Sequence, residues 1–252
     1  MIEIFVLSII QGITEFLPIS SSSHLILISK YLNFNNQSLS IDVSLHIGSF
    51  FAVLVFFKKD IYKIFKEKFL LYKIIISSMP VVFLGYLLVK LNLIDYLRNI
   101  KIIGWTTIVF GILLYISDKF KNTKNISNDF SFKTALIIGF FQVLSLVPGV
   151  SRSGITITAG RFLEFERVEA AKISFLLSIP TLAAISFFGI NNLVKSGDLN
   201  FSLINFLSIF LSFIFSLITI KYFLKFIKNF SLNVFVIYRI LLGLIILFLA
   251  YL

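Results

Sequence analysis

The chain has 252 residues, 58% of them hydrophobic and 14% charged, with a mean hydropathy of +0.99 and a formal net charge of +11. Soluble domains carry about 25% charged residues, so the composition excludes a soluble fold and describes an integral membrane protein. No cysteine is present, which excludes a disulfide framework and thiolate metal sites.

A helix needs about 20 apolar residues to cross a bilayer. Met1-Ile2-Glu3-Ile4 lacks the basic start of a signal peptide and a small-residue cleavage site, so this end is expected to be retained. The stretch 4–29 is apolar but breaks at Gln11, Glu15, Pro18 and the serines Ser20, Ser21, Ser22 and Ser23, just before His24. It reads as two half-helices joined by an irregular turn. Such a turn survives at membrane depth only when buried in protein or lining a watery cavity. Segment 41–57, which carries His46, is the first clean crossing, followed by 71–90 and 101–117. The stretch 134–160 breaks like the first, after Gln142, at Pro148-Gly149-Val150-Ser151-Arg152-Ser153-Gly154. Crossings at 173–190, 201–221 and 234–252 complete the chain. The expected fold is an all-α integral membrane domain over 1–252, with six transmembrane helices plus two re-entrant broken-helix hairpins.

Loops 58–73, 118–133, 161–172 and 221–233 hold sixteen lysines and arginines, Lys121 among them. The other connections hold five: Lys30, Lys90, Arg98, Lys101 and Lys195. The positive-inside rule puts the first set in the cytoplasm. Segment 41–57 then runs inward, the first hairpin opens outward, the second opens to the cytoplasm, and both termini lie outside. In a soluble protein this charge would raise nucleic acid as a partner; here it fits anionic lipid headgroups, and no nucleic acid is expected.

The two halves match at an offset of 131. Gln11 pairs with Gln142, Ser20 with Ser151, Ser22 with Ser153 and Lys90 with Lys221. Repeat 1 covers about 1–125 and repeat 2 about 131–252. Each half holds one hairpin and three crossings, an odd number, so the second half is inserted upside down. Inverted repeats place their site near the midplane, where broken helices meet.

Ionisable groups at membrane depth cost about 2.5–3.5 kcal/mol on insertion scales and usually mark a site. Glu15 reads as a metal ligand or general base, against an interfacial carboxylate. Arg152 reads as a phosphate or carboxylate fork, against a structural ion pair. The serines read as helix caps, as part of an anion site at a half-helix N-terminus, or as a nucleophile. His24 reads as an acid–base group or a satisfied core residue. His46 and Gln142 are candidates for lining the same cavity, and Gln11 and Gln142 for inter-helix hydrogen bonds. Arg239 is expected to snorkel to the cytoplasmic interface. Neither a nucleotide-binding glycine loop nor a zinc-type histidine pair occurs.

These residues resemble a known family. Gln11-Gly-Ile-Thr-Glu15-Phe-Leu-Pro18-Ile-Ser20-Ser21, with a following His24, is similar to the Glu/Gln-x-x-x-Glu and serine-rich motif of the bacterial undecaprenyl-diphosphate phosphatases, the bacitracin-resistance type. Pro148-Gly149-Val150-Ser151-Arg152-Ser153-Gly154 looks like their second signature, and the similarity runs through Leu45-His46-Ile47-Gly48-Ser49 to the final Ile237-Tyr238-Arg239. Two departures stand out. The family's Ser-Ser-Thr-Gly-His is here Ser20-Ser21-Ser22-Ser23-His24, and Gln11 removes one potential metal-binding carboxylate.

The resemblance implies hydrolysis of undecaprenyl diphosphate to the monophosphate for the cell-wall lipid carrier cycle, in the bacterial inner (plasma) membrane. It also implies a divalent cation, Mg2+ or Ca2+. By motif position the family's functional residues fall on Gln11, Glu15, Ser20, Ser21, His24, Ser151, Arg152 and Ser153. The roles assigned are Ser21 as nucleophile, His24 as its acid–base partner and Arg152 as phosphate clamp. Ser20, Ser22, Ser151 and Ser153 would bind phosphate, and Glu15 with Gln11 would hold the metal. A directly attacking water, with Ser21 only binding phosphate, is the open alternative for the chemical step. A homodimer is a further expectation. The alternative function is a transporter or flippase for a polyprenyl phosphate or small anion, since inverted repeats with broken helices are a transporter plan; a non-catalytic bacitracin- or lipid-binding protein is a third.

Overall fold

The computed structural model describes residues 2–32, 38–91, 93, 97, 99–120, 122–196 and 202–252. Arg98, Lys121 and Phe201, and the side chain of Lys30, lie outside the described residues. Apart from a single bridge between Lys124 and Phe165, the regular structure among the described residues is helical. The helices used below are α1 (Ile2–Thr14), α2 (Ser21–Leu32), α3 (Leu39–Phe56), α4 (Lys58–Lys66), α5 (Lys68–Lys90), α6 (Ile100–Asp118), α7 (Phe132–Val143), α8 (Arg152–Phe162), α9 (Arg167–Ser196), α10 (Leu203–Asn229) and α11 (Asn233–Tyr251).

Six of these, α3, α5, α6, α9, α10 and α11, are long and apolar enough to cross a membrane, and they fall on the six expected segments. Three of them, α3, α6 and α10, start at polar caps. Ser38 Oγ accepts from the Ile41 N–H, Asn99 Oδ1 from that of Lys101, and Ser202 forms a capping box with Asn205. Such caps satisfy amide groups that the helix itself leaves unpaired.

Two boundaries differ from expectation. The basic loop 58–73 is largely helical, because Ile61 and Ile64 sit at helical spacing and pack into the core while its lysines face outward. Helix α9 has 30 residues rather than the expected segment 173–190. At 1.5 Å per residue it spans about 45 Å, beyond the ~30 Å hydrocarbon core. Its polar first turn is tied down through Glu169, which accepts from the Ile126 N–H at 3.1 Å.

Lipid tails are as apolar as leucine, so helices associate through close packing and shared hydrogen bonds. The α3–α10 contact shows both. Gly48 faces the Ile209 carbonyl with no room for a Cβ, and Ser49 lies 3.2 Å from Ser212 and 3.1 Å from Ser216. The α5–α7 contact repeats the plan with Gly139 against the Ser77 backbone. Phe83, Trp105, Phe206, Leu241 and Phe248 point outward, as lipid-facing residues do.

Two breaks position the site. Residues 15–20 separate α1 from α2, and residues 147–151 separate α7 and its short 3-10 extension from α8. Phe16, fully buried in the first break, meets Phe175 of α9 edge-on at 5.4 Å. Below this layer Asp118 closes the ends of α6, α8 and α11. It takes Arg161 at 3.3 Å, Arg167 at 2.7 Å and the Leu232 N–H at 3.0 Å. Helix bounds recur at the offset of 131: shifting Ile2–Thr14, Ser21–Leu32 and Ile100–Asp118 gives 133–145, 152–163 and 231–249, beside α7, α8 and α11.

Candidate functional site

Both breaks end in a serine with left-handed backbone. Ser20 has φ 74° and Ser151 φ 72°, at positions related by the same offset. A residue with a Cβ is strained there by about 1–3 kcal/mol and persists where its surroundings over-determine it. Gly149, at φ 95°, makes the bend before Ser151, where a Cβ would collide with Thr106 and the Ile103 carbonyl. Ser151 Oγ caps α8 by accepting from the Gly154 N–H at 3.1 Å. The two tips touch directly: Ser153 Oγ donates to the Leu17 carbonyl at 2.7 Å.

Glu15 is the hub between them. Its Oε1 accepts from Arg152 NH2 at 2.8 Å; its Oε2 accepts from Ser21 Oγ at 2.9 Å and from Gln11 Nε2 at 3.1 Å. The pair is nearly enclosed, with Glu15 7% and Arg152 12% exposed. Arg152 NH1 donates to the Ser174 carbonyl of α9 at 3.0 Å. A guanidinium has five N–H donors, so this fork keeps donors in reserve while holding Glu15. His46 of α3 joins from the side, with Nδ1 3.0 Å from Gln11 Nε2 and 4.0 Å from Glu15 Oε2. Gln11, Glu15, Ser21, His46 and Arg152 thus form one connected cluster.

The remaining expected residues divide. Ser20 Oγ lies 3.3 Å from Ser22 Oγ and 3.0 Å from Ser23 Oγ, a hydroxyl patch on the first turn of α2, with Ser22 exposed. His24 does not contact Ser21 through either ring nitrogen. Its Nδ1 sits 2.7 Å from the Ser20 carbonyl, which requires the proton there, and its Nε2 is 2.6 Å from Tyr238 Oη. Gln142 is fully buried, and both its amide atoms lack a hydrogen-bond partner among the described residues.

Arg239 departs from its expected place. It does not extend outward as a snorkelling side chain would; it is fully buried, and its guanidinium donates to carbonyls of both tips. Turn carbonyls at membrane depth have no helical donor and need one from elsewhere, and this need outweighs the pull of the interface. Tyr238, Arg239 and Ser174 escaped sequence reasoning as site residues. The available signal was the charge of Arg239 inside an apolar span.

The donor set fits a divalent cation carried with an oxyanion better than a protein-only cage. Glu15 is the one carboxylate in the cluster, and no group of three or more His, Cys, Asp or Glu gathers among the described residues. Gln11 Oε1, however, is a buried hard oxygen beside that carboxylate, without a hydrogen-bond partner among the described residues. Magnesium is commonly held by one or two carboxylates plus substrate phosphates.

Residues 4–245 match the family described as bacitracin resistance protein BacA. A protein named undecaprenyl-diphosphatase from Pelagibacter ubique (strain HTCC1062) is 50% identical over 252 residues, covering 99% of this chain and 98% of that protein. Undecaprenyl-diphosphatases from Jannaschia sp. (strain CCS1) and Aliivibrio salmonicida (strain LFI1238) are 38% and 40% identical. The matches cover 98% and 96% of this chain, and 98% and 95% of those proteins.

Proposed function

The chain belongs to the bacitracin resistance protein BacA family, and on that premise we propose that it hydrolyses undecaprenyl diphosphate to undecaprenyl phosphate and phosphate, recycling the lipid carrier for cell-wall synthesis. One observation carries the reading at the level of chemistry. A carboxylate, a serine hydroxyl and an arginine fork from two broken helices converge within single hydrogen bonds of one another.

Phosphoryl transfer needs mainly positioning and neutralisation of charge. Arg152 binds the phosphates through its spare donors and offsets charge in the transition state. The first turns of α2 and α8, with Ser20, Ser22, Ser151 and Ser153, add N–H and hydroxyl donors. Ser21 Oγ attacks the terminal phosphorus and its proton passes to Glu15 Oε2. The bond to the bridging oxygen breaks, and its electron pair leaves with the prenyl monophosphate. Water then attacks the phosphoserine; Ser21 Oγ recovers the proton from Glu15, and dihydrogen phosphate leaves. Glu15 takes the basic role expected of His24 because Ser21 bonds to Glu15 and not to the imidazole. His24 orients the α2 turn through Ser20. A divalent cation, Mg2+ or Ca2+, supplies further charge neutralisation when bound, and Glu15 and Gln11 are the residues to hold it.

At the level of the fold, the reading includes two re-entrant hairpins and an inverted repeat. The recurrence of helix bounds and of strained serines at the offset of 131 supports it. The loop lysines support a plasma-membrane orientation with both termini outside. The test is phosphate release from a C55 prenyl diphosphate by purified protein in detergent, where no sides exist, with Mg2+, with Ca2+ and with chelator. Cation-dependent release is the expected result; lipid binding without release overturns the reading in favour of transport.

A further inference from the structure

Arg239 lies one and a half turns into α11, yet its side chain is fully buried. Its Nε donates to the Thr107 carbonyl of α6 at 3.2 Å. NH1 donates to the Pro18 carbonyl of the first tip at 3.2 Å. NH2 donates to the Gly149 and Val150 carbonyls of the second tip at 2.9 and 3.1 Å. No carboxylate lies within 4.0 Å of it among the described residues. Its neighbours leave it a fitted channel. A Cβ added at Gly111 would lie 3.1 Å from Arg239 Cβ, and one added at Gly154 would lie 2.8 Å from NH1.

A buried guanidinium costs several kcal/mol unless its donors are well used; here it spans three separate segments. The three tip carbonyls lie one or two residues before Ser20 and Ser151, the two left-handed serines. In a trans peptide the next N–H points opposite to the carbonyl. Fixing the Pro18, Gly149 and Val150 carbonyls therefore turns the amides of Ile19, Val150 and Ser151 away from Arg239. One planar fork sets both turns at once, which a lysine point charge does not reproduce.

We infer that Arg239 is a positioning residue of the proposed phosphatase: it locks the two tips against each other, so that Glu15 and Ser21 on one meet Arg152 and Ser153 on the other. The inference rests on the phosphatase reading above. The groups that touch the phosphates are all still present without Arg239, so substrate binding survives. Alignment in the transition state suffers, and misplacement of about 1 Å costs on the order of 10²-fold.

The test compares Arg239→Lys and Gly111→Ala with the unmutated protein, by kcat and KM for C55 prenyl diphosphate in detergent and by thermal melting. Gly111→Ala crowds the Arg239 stem without touching either tip and raises helix propensity, so it keeps the test alive where Arg239→Lys does not fold. The expected result is kcat per folded protein about 30-fold lower or more in Arg239→Lys and about 3- to 10-fold lower in Gly111→Ala, with KM within threefold in both. A kcat within twofold of the unmutated value in Gly111→Ala and in folded Arg239→Lys, or a loss carried by KM, overturns the inference alone. No release from the unmutated protein overturns the phosphatase reading, and this inference with it.

Discussion

Replacing Arg152 by lysine keeps a positive charge between the tips and removes the fork. In the native site the guanidinium reaches two acceptors on opposite sides, Glu15 Oε1 at 2.8 Å and the Ser174 carbonyl at 3.0 Å, with donors left over. A single ammonium nitrogen can follow Glu15 but gives up the Ser174 anchor and paired recognition of phosphate. A hydrogen bond from a charged group is worth about 1.5–3 kcal/mol. At about 1.4 kcal/mol per tenfold, losing one such contact in the transition state lowers turnover about 10- to 10²-fold. Glu15 keeps a counter-charge, so the variant folds. The assay is phosphate release under saturating lipid, normalised to protein that melts cooperatively. Turnover within threefold of the unmutated protein refutes the claim that a bidentate clamp, and not mere charge, drives the reaction.

Three further predictions follow from the same geometry. Ser21→Ala lowers turnover about 10²-fold or more, and acid quenching of the unmutated protein with lipid labelled at its terminal (β) phosphate traps phosphate on Ser21; retained turnover without label assigns the attack to water activated by Glu15. Tyr238→Phe removes the hydrogen-bond partner of His24 Nε2 but keeps the parallel ring contact; a neutral bond is worth about 0.5–1.5 kcal/mol, so kcat falls about 2- to 10-fold, and an unchanged steady-state rate removes His24 from the account. Asp118→Asn strips the shared counter-charge from Arg161 and Arg167. Breaking a buried pair costs about 3–5 kcal/mol, so the melting temperature drops while kcat per folded molecule stays near the native value.

The six crossings and two breaks were legible because apolar runs of membrane length are visible in one dimension, and polar interruptions such as Glu15 and Ser151–Ser153 stand out within them. Helix ends were less so: α9 continues through Glu169 and Lys172 because the Ile126 amide holds Glu169 and Glu169 accepts from Lys172, which no hydropathy pattern records. The cluster of Gln11, Glu15, Ser21 and Arg152 could be anticipated as a set of chemical types. Its wiring could not. Ser21 bonds to Glu15 and His24 to the Ser20 carbonyl, and the other partner of His24 lies 214 residues away. Arg239 is the clearest case. Snorkelling is the sound local expectation for an arginine near a span end, but the channel over Gly111 and the tip carbonyls that accept from Arg239 come together only once α6, α11 and both breaks are assembled.

The central claim is that phosphate is released where the two tips meet. The most direct measurement is metal-supplemented phosphate release from C55 prenyl diphosphate by the purified protein beside Glu15→Gln and Arg152→Ala, each shown to be folded and to bind the lipid. The account predicts release by the unmutated protein and loss of at least about 10²-fold in both variants. Native release in either folded variant, or none from the unmutated protein, contradicts it.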